Sequence, residues 1–205
     1  RVEGRLRAVV VDAEAAADVQ EPEPGAHRAQ LDEDPRRLGV SQLVVALLPE
    51  GLHDDLPPTA AYEARTIERL IECFEGHGYE RVKPPLIEFE ESLLAGPGAQ
   101  VSRHMFRLMD PISQRMMALR ADMTPQVGRI AATGLAGKPR PLRLCYAGQV
   151  ARIAGDQLDP RRESLQVGAE LIGSDTVEAA AEIVELAIAS LEAAGASGIS
   201  VDFTL

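Results

Sequence analysis

Two stretches set the tightest limit on how this chain can fold. Residues 143–152 and 163–172 carry the period-two pattern of extended chain with two unlike faces. On the second, Leu165, Val167, Ala169 and Leu171 point one way, and Ser164, Gln166, Gly168 and Glu170 the other. On the first, Arg152 shares a face with Gly148 and Tyr146. Two readings follow. Either the pair is a half-exposed antiparallel sheet with its polar side in water, or Arg152, Gln166 and Glu170 line a polar floor for a small charged ligand. Spacing alone leaves both open.

From Leu48 onward the flanking signals are regular. Pro49-Glu50-Gly51-Leu52 and Leu56-Pro57-Pro58 form an irregular lead-in. Thr59 is expected to cap a helix whose apolar positions Ala60, Ala64, Ile67, Leu70, Ile71 and Phe74 recur at helical spacing, ended by Gly76 and Gly78. Residues 79–88 read as a strand interrupted by Pro84 and Pro85, which suits an edge or bulge. Residues 105–109 and 115–119 flank a turn at Asp110-Pro111 and predict a hairpin. Met105, Met109, Met116, Met117 and Met123 are expected to pack that hairpin rather than bind a ligand. Thr124-Pro125 predicts a helix start with Thr as cap and Pro at the first helical position. A last helix is expected over residues 176–194, opened by Asp175 with Glu178 and stopped by Gly195, and residues 199–205 begin a further strand. This order predicts an α+β fold with a largely antiparallel sheet flanked by helices.

Composition narrows the function. The net charge of -11 opposes a broad nucleic-acid-binding face, while leaving room for a local basic pocket. Aromatics make up 3% with no Trp, so the core is expected to be built from Ala, Leu, Val and Ile. Two cysteines, Cys73 and Cys145, form no metal-ligand pattern and no disulfide framework, which implies a reduced, cytoplasmic compartment. His27, His53 and His77 lack metal-ligand spacing, and His104 reads as a surface-loop residue, so no metal is expected. The apolar run 43–48 is far too short for a bilayer of ~30 Å, and no secretory leader is recognised. Residues 1–45 are rich in Ala, Glu, Asp, Arg and Pro. Their apolar run Ala8-Val9-Val10-Val11 is isolated, and they are expected to be a disordered or non-native extension to a core at residues 46–205.

Three segments carry a family resemblance. Pro141-Leu142-Arg143-Leu144-Cys145-Tyr146-Ala147-Gly148-Gln149-Val150-Ala151-Arg152, then Gln166-Val167-Gly168-Ala169-Glu170-Leu171-Ile172-Gly173, resembles motif 2 of the class II aminoacyl-tRNA synthetases in its histidyl form. Gly78-Tyr79 through Pro85-Leu86-Ile87-Glu88 resembles motif 1, where the proline, Pro85 here, lies at the dimer interface. Leu119-Arg120-Ala121-Asp122-Met123-Thr124 stands where histidyl enzymes carry Leu-Arg-Pro-Glu-Gly-Thr. The order and intervals also match. The resemblance implies a class II synthetase-like core, C-terminally truncated, with motif 3 and the histidine-specific signature lying beyond Leu205.

The resemblance also implies roles, and the departures from it matter. Arg152 keeps the position that meets the α-phosphate of ATP, and Arg162 matches a second family arginine. Ala154 replaces a family Glu, and Ser164 replaces the Phe that stacks under adenine. Base–aromatic stacking is worth ~1–3 kcal/mol, so that loss implies nucleotide binding weaker by about one to two decades. The loop from Ala154 to Pro160 is acidic where a triphosphate would lie. Thr124, Gln166 and Glu170 match amino-acid-pocket positions, with Asp122 in place of a longer Glu. A kept amino-acid pocket beside a degraded ATP site suits histidine sensing better than ligation.

In wording, Leu47 to Leu52, Leu119 to Thr124 and Cys145 to Val150 resemble the synthetase paralogues that serve as regulatory subunits of ATP phosphoribosyltransferase. That likeness implies a chain with no catalytic residue and no cofactor of its own. It implies a dimer within a hetero-oligomer, a short-form ATP phosphoribosyltransferase catalytic subunit as partner, histidine as effector, and no tRNA. The alternative is a working histidine–tRNA ligase, which Arg152 supports and Ala154, Ser164 and Asp122 oppose.

Overall fold

The computed structural model describes residues 6–12, 48–95, 103–155 and 160–201. A four-stranded sheet in the order β1-β7-β6-β2 forms its centre. These strands are β1 (Leu6–Asp12), β2 (Glu80–Arg81), β6 (Leu142–Ala151) and β7 (Glu163–Ile172). β6 and β7 pair antiparallel along their full length, from Leu142 opposite Ile172 to Ala151 opposite Glu163. β2 joins the far edge of β6 in parallel, and β1 joins β7 antiparallel. A smaller antiparallel sheet has the order β3-β5-β4, with β3 (Ile87–Phe89), β4 (Arg107–Met109) and β5 (Met116–Leu119). The helices among the described residues are α1 (Thr59–Gly76), α2 (Glu90–Leu93), α3 (Thr124–Ala132) and α4 (Val177–Ala194).

The large sheet is covered on both faces. α1 and α4 lie on one, where Leu70 and Phe74 of α1 and Ile183 and Leu186 of α4 pack on Cys145, Val167, Ala169 and Leu171. On the other face, Met123 and the α3 residues Val127 and Ala131 pack on Leu142, Leu144, Tyr146 and Ile172. The polar side of β7 is therefore dry from Gln166 onward, with Gln166 9% exposed and Glu170 0%. Polar pairs hold the outer layers in place. Arg143 clamps Glu182 of α4 through Nε at 2.6 Å and Nη2 at 2.7 Å, and Tyr79 donates to the same carboxylate at 3.0 Å. Arg129 of α3 grips Glu88 of β3 with its Nε at 2.9 Å.

Several local expectations change. The predicted strand 79–88 splits between the two sheets, because Pro84 and Pro85 offer no N–H to a ladder. Thr59 begins α1 without capping it. The first turn's N–H groups are already taken by Leu56 O and Pro58 O, with Ala60 N, Ala61 N and Tyr62 N as donors. In α4 the cap is Thr176 rather than Asp175. The extended backbone of Thr176 brings its Oγ1 to 3.2 Å from Ala179 N. Gly78 (φ +83°) and Gly195 (φ +103°) turn the chain out of α1 and α4 as glycines past a helix end do.

The hairpin forms as predicted, but its methionines part ways. Met105 and Met123 are buried, whereas Met109 and Met116 pair with each other at the turn end and stay exposed. The largest correction lies in the first residues. Ala8-Val9-Val10-Val11 is not isolated, since it forms most of β1, and its alternation places Val9 and Val11 in the helix-backed core while Val10 remains 48% exposed. β1 satisfies N–H and C=O groups that β7 would otherwise present at a bare edge. The rest of the expected extension (1–5 and 13–45) and its boundary lie outside the described residues. Of the strand expected from Ile199, residues 199–201 are irregular and 202–205 fall outside the described residues. No described helix is long and apolar enough to cross a membrane.

Phe74 is fully buried between α1 and the sheet. Phe74→Ala is expected to lower unfolding free energy by ~3–5 kcal/mol, read as a shifted urea midpoint at an unchanged slope.

Candidate functional site

The site forms where the turn between β5 and α3 meets the polar face of β7. Gln166 uses both ends of its amide there: its Nε2 donates to Asp122 Oδ1 at 2.8 Å, and its Oε1 accepts from Met123 N at 2.7 Å. Asp122 Oδ1 also accepts from Thr124 N at 3.0 Å. Asp122 thus performs the capping expected of Thr124, whose hydroxyl is left free to lie 3.3 Å from Tyr146 Oη. Tyr146 in turn donates to Glu170 Oε1 at 3.1 Å. Asp122, Thr124, Gln166 and Glu170 are therefore brought together, with Tyr146 as an added member.

Glycine makes that arrangement possible. Tyr146 and Gly168 are direct cross-strand partners. A Cβ at Gly168 would stand 2.6 Å from the Tyr146 ring, so only glycine lets the ring lie across β7 and carry its hydroxyl to Glu170.

Glu170 is the most unusual group in the fold. Its side chain is fully buried, and its Oε2 has no hydrogen-bond partner among the described residues. Burial pushes its pKa up to about 8; the Thr124 and Tyr146 hydroxyls pull the other way, and Asp122 adds a like charge that raises it. The same burial, together with Glu170 itself, holds the Tyr146 phenol well above its usual range. Burial thus favours the protonated carboxyl at neutral pH, beside two hydroxyls and with Oε2 unpaired. With Tyr146 donating to Oε1, the carboxyl proton rests on Oε2, so this buried orphan suits a ligand that offers an acceptor.

The raised pKa has a sign that can be checked. Between about 4.5 and 8 the folded chain holds a proton that the unfolded chain has released. The stabilising effect is therefore complete below that window and is lost as pH rises through it. Glu170→Gln is expected to match the parent near the acid end and to exceed it by on the order of 3 kcal/mol at the alkaline end. Urea denaturation at a series of pH values reads this directly, and parallel stability curves for the two proteins would refute it.

Arg152 and Arg162 stand apart from this cluster. Arg152 is exposed just past β6, where its backbone N donates to Arg162 O at 2.7 Å. It borders a cleft of about 80 Å³ with Ser164, Gln166 and Val10 of β1. Arg162 is committed locally, with its guanidinium 4.8 Å from the Phe106 ring centroid and its Nη1 donating to Glu50 O at 3.2 Å. Ala154 is exposed and Ser164 half-buried, while residues 156–159 of the acidic loop lie outside the described residues. Pro85 is exposed on the wall of a groove of about 500 Å³, and its carbonyl accepts from Gln126 Nε2 at 2.7 Å. No group of His, Cys, Asp and Glu among the described residues is arranged to hold a metal.

Sequence patterning missed Tyr146, Arg120 and Gln126. An aromatic residue directly opposite a glycine in two paired strands was the available signal for Tyr146. Arg120 and Gln126, both buried, brace the turn that carries Asp122. Nothing in their spacing marks them.

The histidyl-tRNA synthetase family matches residues 51–205. A curated relative from Rhodospirillum centenum, named ATP phosphoribosyltransferase regulatory subunit, is 61% identical over 161 residues, which is 78% of this chain and 42% of the relative. The chain thus spans about two fifths of that relative's length. A crystal structure from Bacillus halodurans, described as an ATP phosphoribosyltransferase regulatory subunit/histidyl-tRNA synthetase, has a TM-score of 0.65 at 30% identity, covering 77% of this chain and 40% of that one. A histidine–tRNA ligase subunit from Alicyclobacillus acidocaldarius has a TM-score of 0.63 at 34% identity, covering 74% and 43%. The match over three quarters of the chain and the shared fold lead to one conclusion: this chain belongs to the histidyl-tRNA synthetase family.

Proposed function

We propose that the chain is part of a non-catalytic regulatory subunit of ATP phosphoribosyltransferase, serving the first step of histidine biosynthesis and sensing histidine in the Asp122–Glu170 pocket. The observation that carries this reading is the contrast between two halves of one strand pair. At the end matched to the amino-acid pocket, Gln166 is doubly bonded and Glu170 is buried beneath Tyr146. At the nucleotide end, Ser164 gives adenine no ring to stack on, and Arg162 is already held by Phe106 and Glu50. The name carried by the Rhodospirillum centenum relative supports the same reading. In it, a ring nitrogen of histidine accepts from the protonated Glu170 Oε2, and the ammonium group meets Asp122 and Thr124.

The partner in this reading is a short-form catalytic subunit, and the regulatory chain self-associates through the surface around Pro85 within a cytoplasmic hetero-oligomer. Histidine then shifts the assembly between active and inhibited states, and the coupling is reciprocal between the two sites. The second reading, a histidine–tRNA ligase, is favoured by Arg152 at its family position and by the fold shared with the Alicyclobacillus protein.

Calorimetry and pyrophosphate exchange separate the two. Histidine is expected to bind without ATP, and Gln166→Ala to weaken it at least about tenfold, because Asp122 and Met123 N lose their partner together. No histidine-dependent exchange of pyrophosphate into ATP is expected. Exchange at a rate typical of synthetases would establish the ligase instead.

A further inference from the structure

Arg120 is 6% exposed, and the acceptors that hold it are neutral. Its Nε donates to Gln149 O at 2.7 Å, and its Nη1 to Pro84 O at 3.0 Å, with Pro85 O and Gln126 Oε1 each at 3.5 Å. Its backbone makes two more ties, with Arg120 N donating to Leu86 O at 3.1 Å and Ala151 N donating to Arg120 O at 2.9 Å. Gln126 doubles the grip on Pro85 O. One short stretch, residues 120–126, therefore touches the 84–86 segment, the end of β6 and, through Asp122, Met123 and Thr124, the buried cluster around Glu170. Gly148 leaves the space for this, since a Cβ there would stand 2.3 Å from Arg120 Nη2.

A guanidinium has donors in a fixed planar fork and cannot follow one carbonyl without abandoning another. Each buried donor left behind carries a desolvation penalty, so the turn and the proline segment move as one body or not at all. That segment walls the open groove of about 500 Å³, where Pro84, Pro85 and Leu86 face Gly148 and Gln149, with Arg120 between them. Pocket and groove thus share a single brace.

We infer that Arg120 is a positioning residue that couples the amino-acid pocket to the wall of the Pro84–Leu86 groove, so that filling the pocket stiffens the groove. This rests on the reading that the pocket takes histidine. A second copy of the chain docked around Pro85 would feel pocket occupancy through Arg120, and its docking in turn would report back on histidine affinity.

Hydrogen exchange on the intact chain, with and without L-histidine, tests the coupling beside calorimetry on the same samples. With histidine, residues 82–89 are expected to exchange at least about threefold more slowly. Arg120→Lys and Gln126→Met are expected to lose the slowing at histidine concentrations that saturate each variant, whatever its affinity. Gly148→Ala, which displaces Arg120 without removing it, supplies a third variant if either fails to fold. Glu182→Gln, on the helical face of the sheet, controls for lowered stability and is expected to retain the slowing. Slowing that persists in Arg120→Lys or Gln126→Met overturns the coupling, as does histidine binding to the parent without any slowing. Failure of the parent to bind histidine overturns the histidine reading itself and the coupling with it.

Discussion

The cross-strand register of β6 and β7 is the constraint on which the rest depends. Tyr146 lies opposite Gly168 and Leu144 opposite Glu170, so one face of the pair receives a ring, a gap and a carboxyl in fixed order. The other face receives Cys145, Val167, Ala169 and Leu171, which α1 and α4 cover. A slip of one residue would drive Glu170 among Leu70, Phe74 and Leu186, and it would turn Ala169 and Leu171 toward the turn that carries Asp122. The apolar demand of the helices thus holds the polar site in register, and the pocket needs no separate device to keep its side chains on one face.

That arrangement explains how the two ends of the strand pair can differ in fate. The pocket end is shielded by α3 and by side chains that bond one another, so its geometry is maintained by packing. The other end, around Arg152 and Ser164, opens toward solvent and depends on a loop. Substitutions there disturb little of the core. The Arg162 guanidinium stacked on Phe106 shows a side chain of that end taken over by the local fold, where it pins the turn at Glu50 and Gly51.

Much of this was legible from the sequence, and the failures share one cause. The β4–β5 hairpin, the two long strands and the glycine stops follow from neighbours along the chain, and they form as predicted. Thr124 reads locally as a cap, yet Asp122 takes the role because Gln166, far away in sequence, holds its carboxylate at the helix start. The split of residues 79–88 between two sheets, the pairing of β1 and the duty of Arg120 likewise depend on distant partners. Among the candidate residues, Asp122, Thr124, Gln166 and Glu170 converge through bonds to one another and to Tyr146. Their Tyr146 link rests on a glycine whose meaning shows only when the strands are laid side by side.

β1 also bears on how the chain behaves among its own copies. Without it, β7 would present an uninterrupted run of backbone donors and acceptors along a strand rich in β-branched and aliphatic residues, which is a template for growth by strand addition. With Leu6–Asp12 seated there, the exposed rim becomes a strand whose inward valines are already committed to the core. The strand Leu6–Asp12 then acts as a guard on colloidal behaviour. Losing Leu6–Asp12 would show itself as self-association in concentrated solution before any change around Glu170.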